Sequence, residues 1–242
     1  MRIAIGERRK PHPQGRPGYL RVDSVHQGHL DGVKGLYHIN LGDEVTQFEF
    51  VGSMGRISEN YLIPVLEALI GAFPFTVQGF HADNGSEYIN HQVVAMLNKL
   101  HIGQFTKSRP RHSNDNALAE SKNGAVIRKH LGYSHIPARF AARVNHFTQS
   151  VLSPYLNYHR PCLFPTESAD AKGRIRKKYR YEDITTPYER LRSLPGADAY
   201  LKPGTTFERL DELANALSDN QAAMRLNRER DKLFREIERT QT

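Results

Sequence analysis

Cysteine is nearly absent from this chain. Cys162 stands alone among 242 residues, which excludes a disulfide framework and any cysteine-based zinc module and points to a reducing compartment. No stretch approaches the ~20 consecutive apolar residues that a membrane-crossing helix needs. The start, Met1-Arg-Ile-Ala-Ile-Gly-Glu-Arg-Arg-Lys10, has no apolar core long enough for a signal peptide. A soluble protein without a membrane partner is expected. There is no Gly-Lys dipeptide, so a phosphate-binding loop of the ATP-driven kind is excluded. None of the 12 histidines has arginine three residues on, which removes the His-x-x-Arg pair of a tyrosine recombinase.

Basic charge is what the chain has in excess. The formal net charge is +8, and it is unevenly placed. Residues 1–22 hold Arg2, Arg8, Arg9, Lys10, Arg16 and Arg21 against the single acid Glu7. Residues 172–180 hold Lys172, Arg174, Arg176, Lys177, Lys178 and Arg180 and no acid. Clustered cations of this kind fit a polyanionic partner, and nucleic acid is the expected one.

The hydrophobic pattern gives an alternating α/β order. Residues 1–17, rich in Pro, Gly and Arg, read as a flexible basic arm. Strand-like stretches follow at 19–25, 36–41 and 45–51, with Gly42-Asp43-Glu44 as the turn between the last two. Leu62, Val65, Leu66 and Leu69 then keep helical spacing, with Ser58 as a candidate cap. A strand at 75–81, a helix marked by Val93, Leu97 and Leu100, a short strand at 103–106 and a polar loop at 107–115 come next. A helix carrying Glu120 and Ile127 begins at a cap expected from Asn114 or Asp115, and Phe140, Val144, Phe147 and Val151 mark another. Three strands, then helix, strand, helix, strand and two helices predict a mixed five-stranded sheet flanked by helices. After about residue 165 the chain turns basic and then mostly helical, a small extension spanning 166–242.

Three acids frame that order. Asp23 lies in an apolar, strand-like run, where a charge is disfavoured unless it faces solvent or a ligand. Asp83 opens Asp83-Asn84-Gly85-Ser86 directly after a strand; the tripeptide alone is a common turn, but a strand's C-terminal edge often holds ligands. Glu120 follows after one further α/β unit, on a helix face shared with Gly124, Ile127 and Leu131. Gly124 is expected to permit close approach of sheet or substrate. Three converging carboxylates repel one another, so a metal or basic partners must compensate. Among competing acids, Glu87 is read as a helix-first-turn residue, Asp115 as a cap, and Asp43-Glu44 as turn residues. His81 is read as a packed strand residue.

Three segments carry a family resemblance: the strand ending at Asp23, His81-Ala-Asp83-Asn84-Gly85-Ser86-Glu87, and Ser108-Arg-Pro-Arg-His112-Ser-Asn-Asp-Asn-Ala-Leu-Ala-Glu120-Ser-Lys-Asn123-Gly124. Together they resemble the DDE transposase and retroviral integrase superfamily, in particular bacterial insertion-sequence transposases, over residues 18–165. The interval from the second to the third acid is one residue longer than the family's usual one. The resemblance implies an RNase H-like catalytic core. It implies two Mg²⁺ or Mn²⁺ ions held by Asp23, Asp83 and Glu120. It also implies nicking at element ends followed by attack of the freed 3′-hydroxyl on target DNA. A homo-oligomer on DNA and a cytoplasmic, nucleoid-associated place in a bacterium follow from the same likeness.

Phosphate contacts are expected from Lys107, Arg109, Arg111 and His112 on the loop before Glu120, from Lys122, Arg128 and Lys129 along its helix, and from Arg174, Arg176, Lys177 and Lys178. Only 22 residues precede Asp23, too few for the family's helix-turn-helix module, so a truncated or split protein is one expectation. Two rival readings stay open. One is another RNase H-like nuclease that cleaves without joining; the other is an inactive remnant or DNA-binding regulator.

Overall fold

In the computed structural model, which describes residues 5–170 and 175–240, one strand decides the layering. Leu20 and Val22 point into one apolar cluster and Val25 into another, as period-two alternation requires. The strands are β1 (Glu7–Arg8), β2 (Tyr19–His26), β3 (Tyr37–Asp43), β4 (Glu49–Met54), β5 (Gly79–Ala82) and β6 (Gln104–Lys107). Their order in the sheet is β1-β6-β5-β2-β3-β4. β2, β3 and β4 form an antiparallel meander, whereas β5 and β6 run parallel to β2. A meander followed by two parallel, helix-linked strands is the RNase H-like arrangement. The sheet has six strands rather than the five expected, because Glu7 and Arg8 of the basic arm pair with Thr106 and Lys107 at its edge.

Helices α1 (Glu59–Ala72) and α2 (His91–Lys99) bury Leu62, Leu66, Leu69, Val93 and Leu97 on one face of the sheet. Asn90 caps α2 by accepting from the Val93 N–H. The other face is covered by the helical run 117–131, which starts as α3 (Ala117–Lys122) and widens into a π-helical stretch over Asn123–Arg128. Next to it lie α4 (Ala141–Phe147) and its continuation to residue 159. Residues beyond 165 supply apolar groups to both layers. Tyr188 and Leu191 of α5 (Pro187–Arg192) and Phe207 and Leu210 of α6 (Phe207–Asn215) enter the first. Leu226, Leu233 and Ile237 of α7 (Asp219–Arg239) enter the second. Among the described residues no helix is long and apolar enough to cross a membrane.

One boundary moves for a clear reason. The alternation at 45–51 predicts a strand from Val45, yet pairing begins only at Glu49. Asp43, buried rather than an open turn residue, accepts from the N–H groups of Gly18, Tyr19, Val45 and Thr46 and from the Thr46 hydroxyl. That web closes the turn over 43–48 and holds Thr46 out of the ladder.

Candidate active site

The helix carrying Glu120 is pinned to the strand carrying Asp23. Asn116, at the helix start, donates its side-chain amide to the Val22 carbonyl at 3.2 Å. Arg21, almost wholly buried, ion-pairs with Glu44 and donates to the Asp115 carbonyl. Arg21 was counted in the basic arm's charge, but it is committed inside the protein. Asp115 is not the expected helix cap either. Its carboxylate accepts from the Arg109 backbone N–H at 3.0 Å and from the Arg109 guanidinium at 2.9 and 2.8 Å. Those bonds hold the Asp115 carboxyl well below the usual range.

With the helix so placed, Asn123 reaches the site. Its Nδ2 donates to Asp23 Oδ2 at 2.7 Å, and its Oδ1 lies 3.5 Å from the Asn40 amide on β3. Asn40 pairs with Asp23 across the sheet. Asp23 Oδ1 also accepts the Ser24 N–H at 2.8 Å. The Asp23 carboxyl is nonetheless pushed up to about 6, first by burial and then by the negative charges of Asp83 and Glu120. All three predicted acids therefore share one electrostatic neighbourhood. Asp83, just past β5, accepts the Gly85 N–H at 2.8 Å, and it lines an open groove with Asn84, Ser108, Arg109, Arg111, His112, Asn116 and Glu120.

Glu87, assigned to a helix first turn from the sequence, lies before the cap of α2 and turns to the sheet, where Ser24 Oγ donates to its Oε1 at 3.1 Å. Asp23, Asp83, Glu87 and Glu120 make no ion pair among the described residues. Oxygen-only donors with uncompensated charge suit a hard divalent cation. Among the described residues no three acid, His or Cys side chains stand close enough to form a ready-made metal cage.

Several expected phosphate contacts are turned inward. Lys107 is buried and donates to the Ile5 carbonyl at 2.6 Å. Lys122 is buried 3.2 Å from Glu49, whose own carboxyl burial raises and Lys122 draws back down. Arg128 binds the His26 carbonyl at 2.9 Å and Gln27 Oε1 at 3.2 Å and lies over the Tyr133 ring. These three side chains are spent on the fold, because each sits where its strand or helix faces protein. Arg109 is exposed but held by Asp115 at the groove wall; Arg111, His112 and Lys129 are exposed as well. Arg176 and Lys178 lie exposed on a hairpin strand, Ile175–Lys178, paired with Thr166–Ala169; Arg176 is 3.3 Å from Asp170. Arg174 and the Lys177 side chain lie outside the described residues.

Gly124 also departs from expectation: it is exposed, with open space where a side chain would stand. The π-helical winding rotates it away from the buried Ile127 and Leu131. His81 is the packed strand residue expected, 2.8 Å from Thr106 Oγ1. Asn123 carries no role in the sequence reading, and Glu87 stands there only as a helix-first-turn acid. The one available signal for Asn123 was an amide one helical turn after Glu120.

No family model matches the chain. The uncharacterized protein y4rM of Sinorhizobium fredii (strain NBRC 101917 / NGR234) is 29% identical over 164 residues, which is 67% of this chain. The chain spans only 47% of that relative's length. Among solved structures, the simian T-cell lymphotropic virus intasome in complex with PP2A regulatory subunit B56 gamma contains a chain that matches at a TM-score of 0.49 and 17% identity, over 66% of this chain and 55% of that one. The catalytic core domain of BIV integrase matches at a TM-score of 0.44 and 15% identity, over 71% of this chain and 91% of that one.

Proposed function

We propose that the chain is a metal-dependent polynucleotidyl transferase of the integrase and transposase type, which nicks DNA at the ends of a mobile element and joins the freed 3′-hydroxyl to target DNA. The observation that supports this reading best is that Asp83 and Glu120 line one groove, while Asn123 ties Asp23 on its strand to the helix that carries Glu120. Asp23, Asp83 and Glu120 would hold Mg²⁺ or Mn²⁺. When bound, such ions stabilise the charge that develops on the attacking and leaving oxygens of a phosphodiester.

The chain's own residues prepare the site. Ser24 and Asn123 each occupy one oxygen of Asp23 and so hold its orientation. The Gly85 N–H does the same for Asp83. Arg111 and His112 share the groove with Asp83 and Glu120, where a phosphate backbone would meet positive charge next to the acids. DNA is the proposed partner, with two or more copies of the chain assembling on paired element ends, and a bacterial insertion sequence is the proposed source.

A Glu120→Gln protein tests the reading. It should lose Mn²⁺-dependent nicking of element-end DNA while its retention on a heparin-like column stays unchanged. Equal nicking by variant and parent would sink the assignment. Nicking without joining by the parent would leave a nuclease of the same fold.

A further inference from the structure

Between β2 and β3 the chain makes a short hairpin in which His29–Leu30 pairs with Val33–Lys34. Asp31 and Gly32 both have positive φ, as the tight two-residue turn of a twisted hairpin requires. The base is fixed to the end of the helical run that carries Glu120. Buried Gln27 donates to the carbonyls of Leu131 and Ser134 at 3.1 and 2.8 Å, and the Leu36 N–H donates to the Ile136 carbonyl at 2.9 Å. A Cβ on Gly28 would stand 2.9 Å from the His135 nitrogen and 3.1 Å from the Tyr133 oxygen, so that loop packs directly on the hairpin. The tip, in contrast, is bare. Leu30 and Val33, cross-strand partners and so on one face, are 49% and 59% exposed.

Two observations say what would cover that tip. One is charge. Burial, and then the positive charges of His29, Lys34, Arg128 and His135, push the His26 ring at the hairpin's base below the usual histidine range. Asp31 is the one acid between His26 and Leu36. A second copy of this chain, with its net charge of +8, would meet like charge there, whereas a polyanion would not. The other is continuity with the candidate active site. The helical run that starts at the groove with Glu120 leads to the hairpin, and Ser121, Gly124, Ala125 and Lys129 lie exposed along it without an acid among them. From Glu120 to Leu131 that run covers about 16 Å, or about five base pairs of duplex.

We infer that the hairpin tip is a wedge for duplex DNA. Leu30 and Val33 enter a base step about five base pairs from the phosphate at Glu120, while Lys34 and Lys129 lie on the backbone. The inference rests on the reading of DNA as partner given above, but not on the chemistry at the acids. A fixed base suits this task, since a loose tip would fold away instead of parting two bases. A two-stranded ribbon is also narrow enough to enter a groove of B-form DNA.

Binding of the full chain to DNA in EDTA tests this without catalysis. Two duplexes of the same random sequence, several turns long, are compared: one fully paired, the other with a central mismatch whose bases are already unstacked. The parent should bind the mismatched duplex on the order of tenfold more tightly, because the cost of parting the bases is removed. Leu30→Ser combined with Val33→Ser changes only exposed side chains. It should melt as the parent does, keep its affinity for the paired duplex and lose the preference. Lys34→Ala combined with Lys129→Ala should weaken binding to both duplexes alike and lower the salt slope by about two. No preference in the parent, or the same preference in the Leu30 and Val33 variant, overturns the wedge and leaves DNA binding standing. An unchanged slope in the lysine variant overturns the docking. A parent that self-associates without DNA in sedimentation, beside a Leu30 and Val33 variant that does not, also overturns it, because the tip then belongs to a second copy. A parent that binds neither duplex overturns the reading of DNA as partner, and the wedge with it.

Discussion

Asn123 Nδ2 stands 2.7 Å from Asp23 Oδ2, a hydrogen bond between residues 100 positions apart. It joins the central strand to the helix that carries Glu120, and it is made one helical turn beyond that acid. The bond does two things at once. It fixes one oxygen of Asp23, and it sets how far α3 can slide along β2.

Replacing that amide should therefore affect both stability and chemistry. Removal of one partner from a half-buried hydrogen bond costs about 1–2 kcal/mol, and about 2–4 °C in melting temperature goes with each kcal/mol in a domain of this size. Asn123→Ala is expected to melt a few degrees lower and to nick at least tenfold more slowly. A variant with parental nicking would show that Asp23 needs no such support.

The pH dependence follows from the raised carboxyl of Asp23. Its ordinary value is 3.8 and its folded value about 6, so between these the folded state binds more protons than the unfolded one. Stability of the metal-free protein should then fall as pH rises through that window. Cation binding, which needs the ionised carboxylate, should strengthen over the same range. Melting curves of the parent and of Asp23→Asn, compared from pH 4 to pH 7, check the sign. The advantage of Asp23→Asn over the parent should grow towards pH 7 and shrink towards pH 4. No change in that difference with pH would refute it.

Lys122 offers a test of fold against DNA contact. Its ammonium is buried against Glu49, and stripping one partner from a buried ion pair costs about 3–5 kcal/mol. Lys122→Met should lower the melting temperature strongly while heparin retention hardly changes. The double variant Lys122→Met with Glu49→Gln should recover part of the loss, since no carboxylate is then left alone. Weakened retention with parental melting would instead return Lys122 to the DNA surface.

Among the loop cations, exposure separates the roles. Arg111 is exposed at the groove and Lys107 is buried on Ile5. Arg111→Ala should weaken binding to all duplex sequences alike and reduce the salt slope by about one. Lys107→Ala should leave the slope as it is and cost stability. Salt titrations of DNA affinity for the two variants distinguish these outcomes.

Local order was legible in the residues because it depends on local spacing. Leu62, Leu66 and Leu69 at helical intervals placed α1, and the alternation around Asp23 placed β2 to within a residue. Those signals depend on neighbours a few positions away. The turn after Gly42 stands where the residues place it, but the burial of Asp43 and the later strand start at Glu49 were not legible, because the bonds of Asp43 to Gly18 and Tyr19 cross 24 or 25 positions. Lys107, Lys122 and Arg128 look like surface cations in one dimension, since charge alone does not say which face of an element meets protein.

By itself, then, the sequence determined the order of strands and helices, the positions of the three spaced acids and the excess of basic charge, all of which follow from residue type and short-range periodicity. Tertiary structure alone decided which groups face those acids. Asn123 meets Asp23, Glu87 meets Ser24, and Lys122 disappears beneath β4, because parallel pairing of β5 with β2 and the seating of α3 on the sheet bring together residues that lie tens of positions apart. Long-range pairing of that kind is settled by packing, which no local pattern encodes.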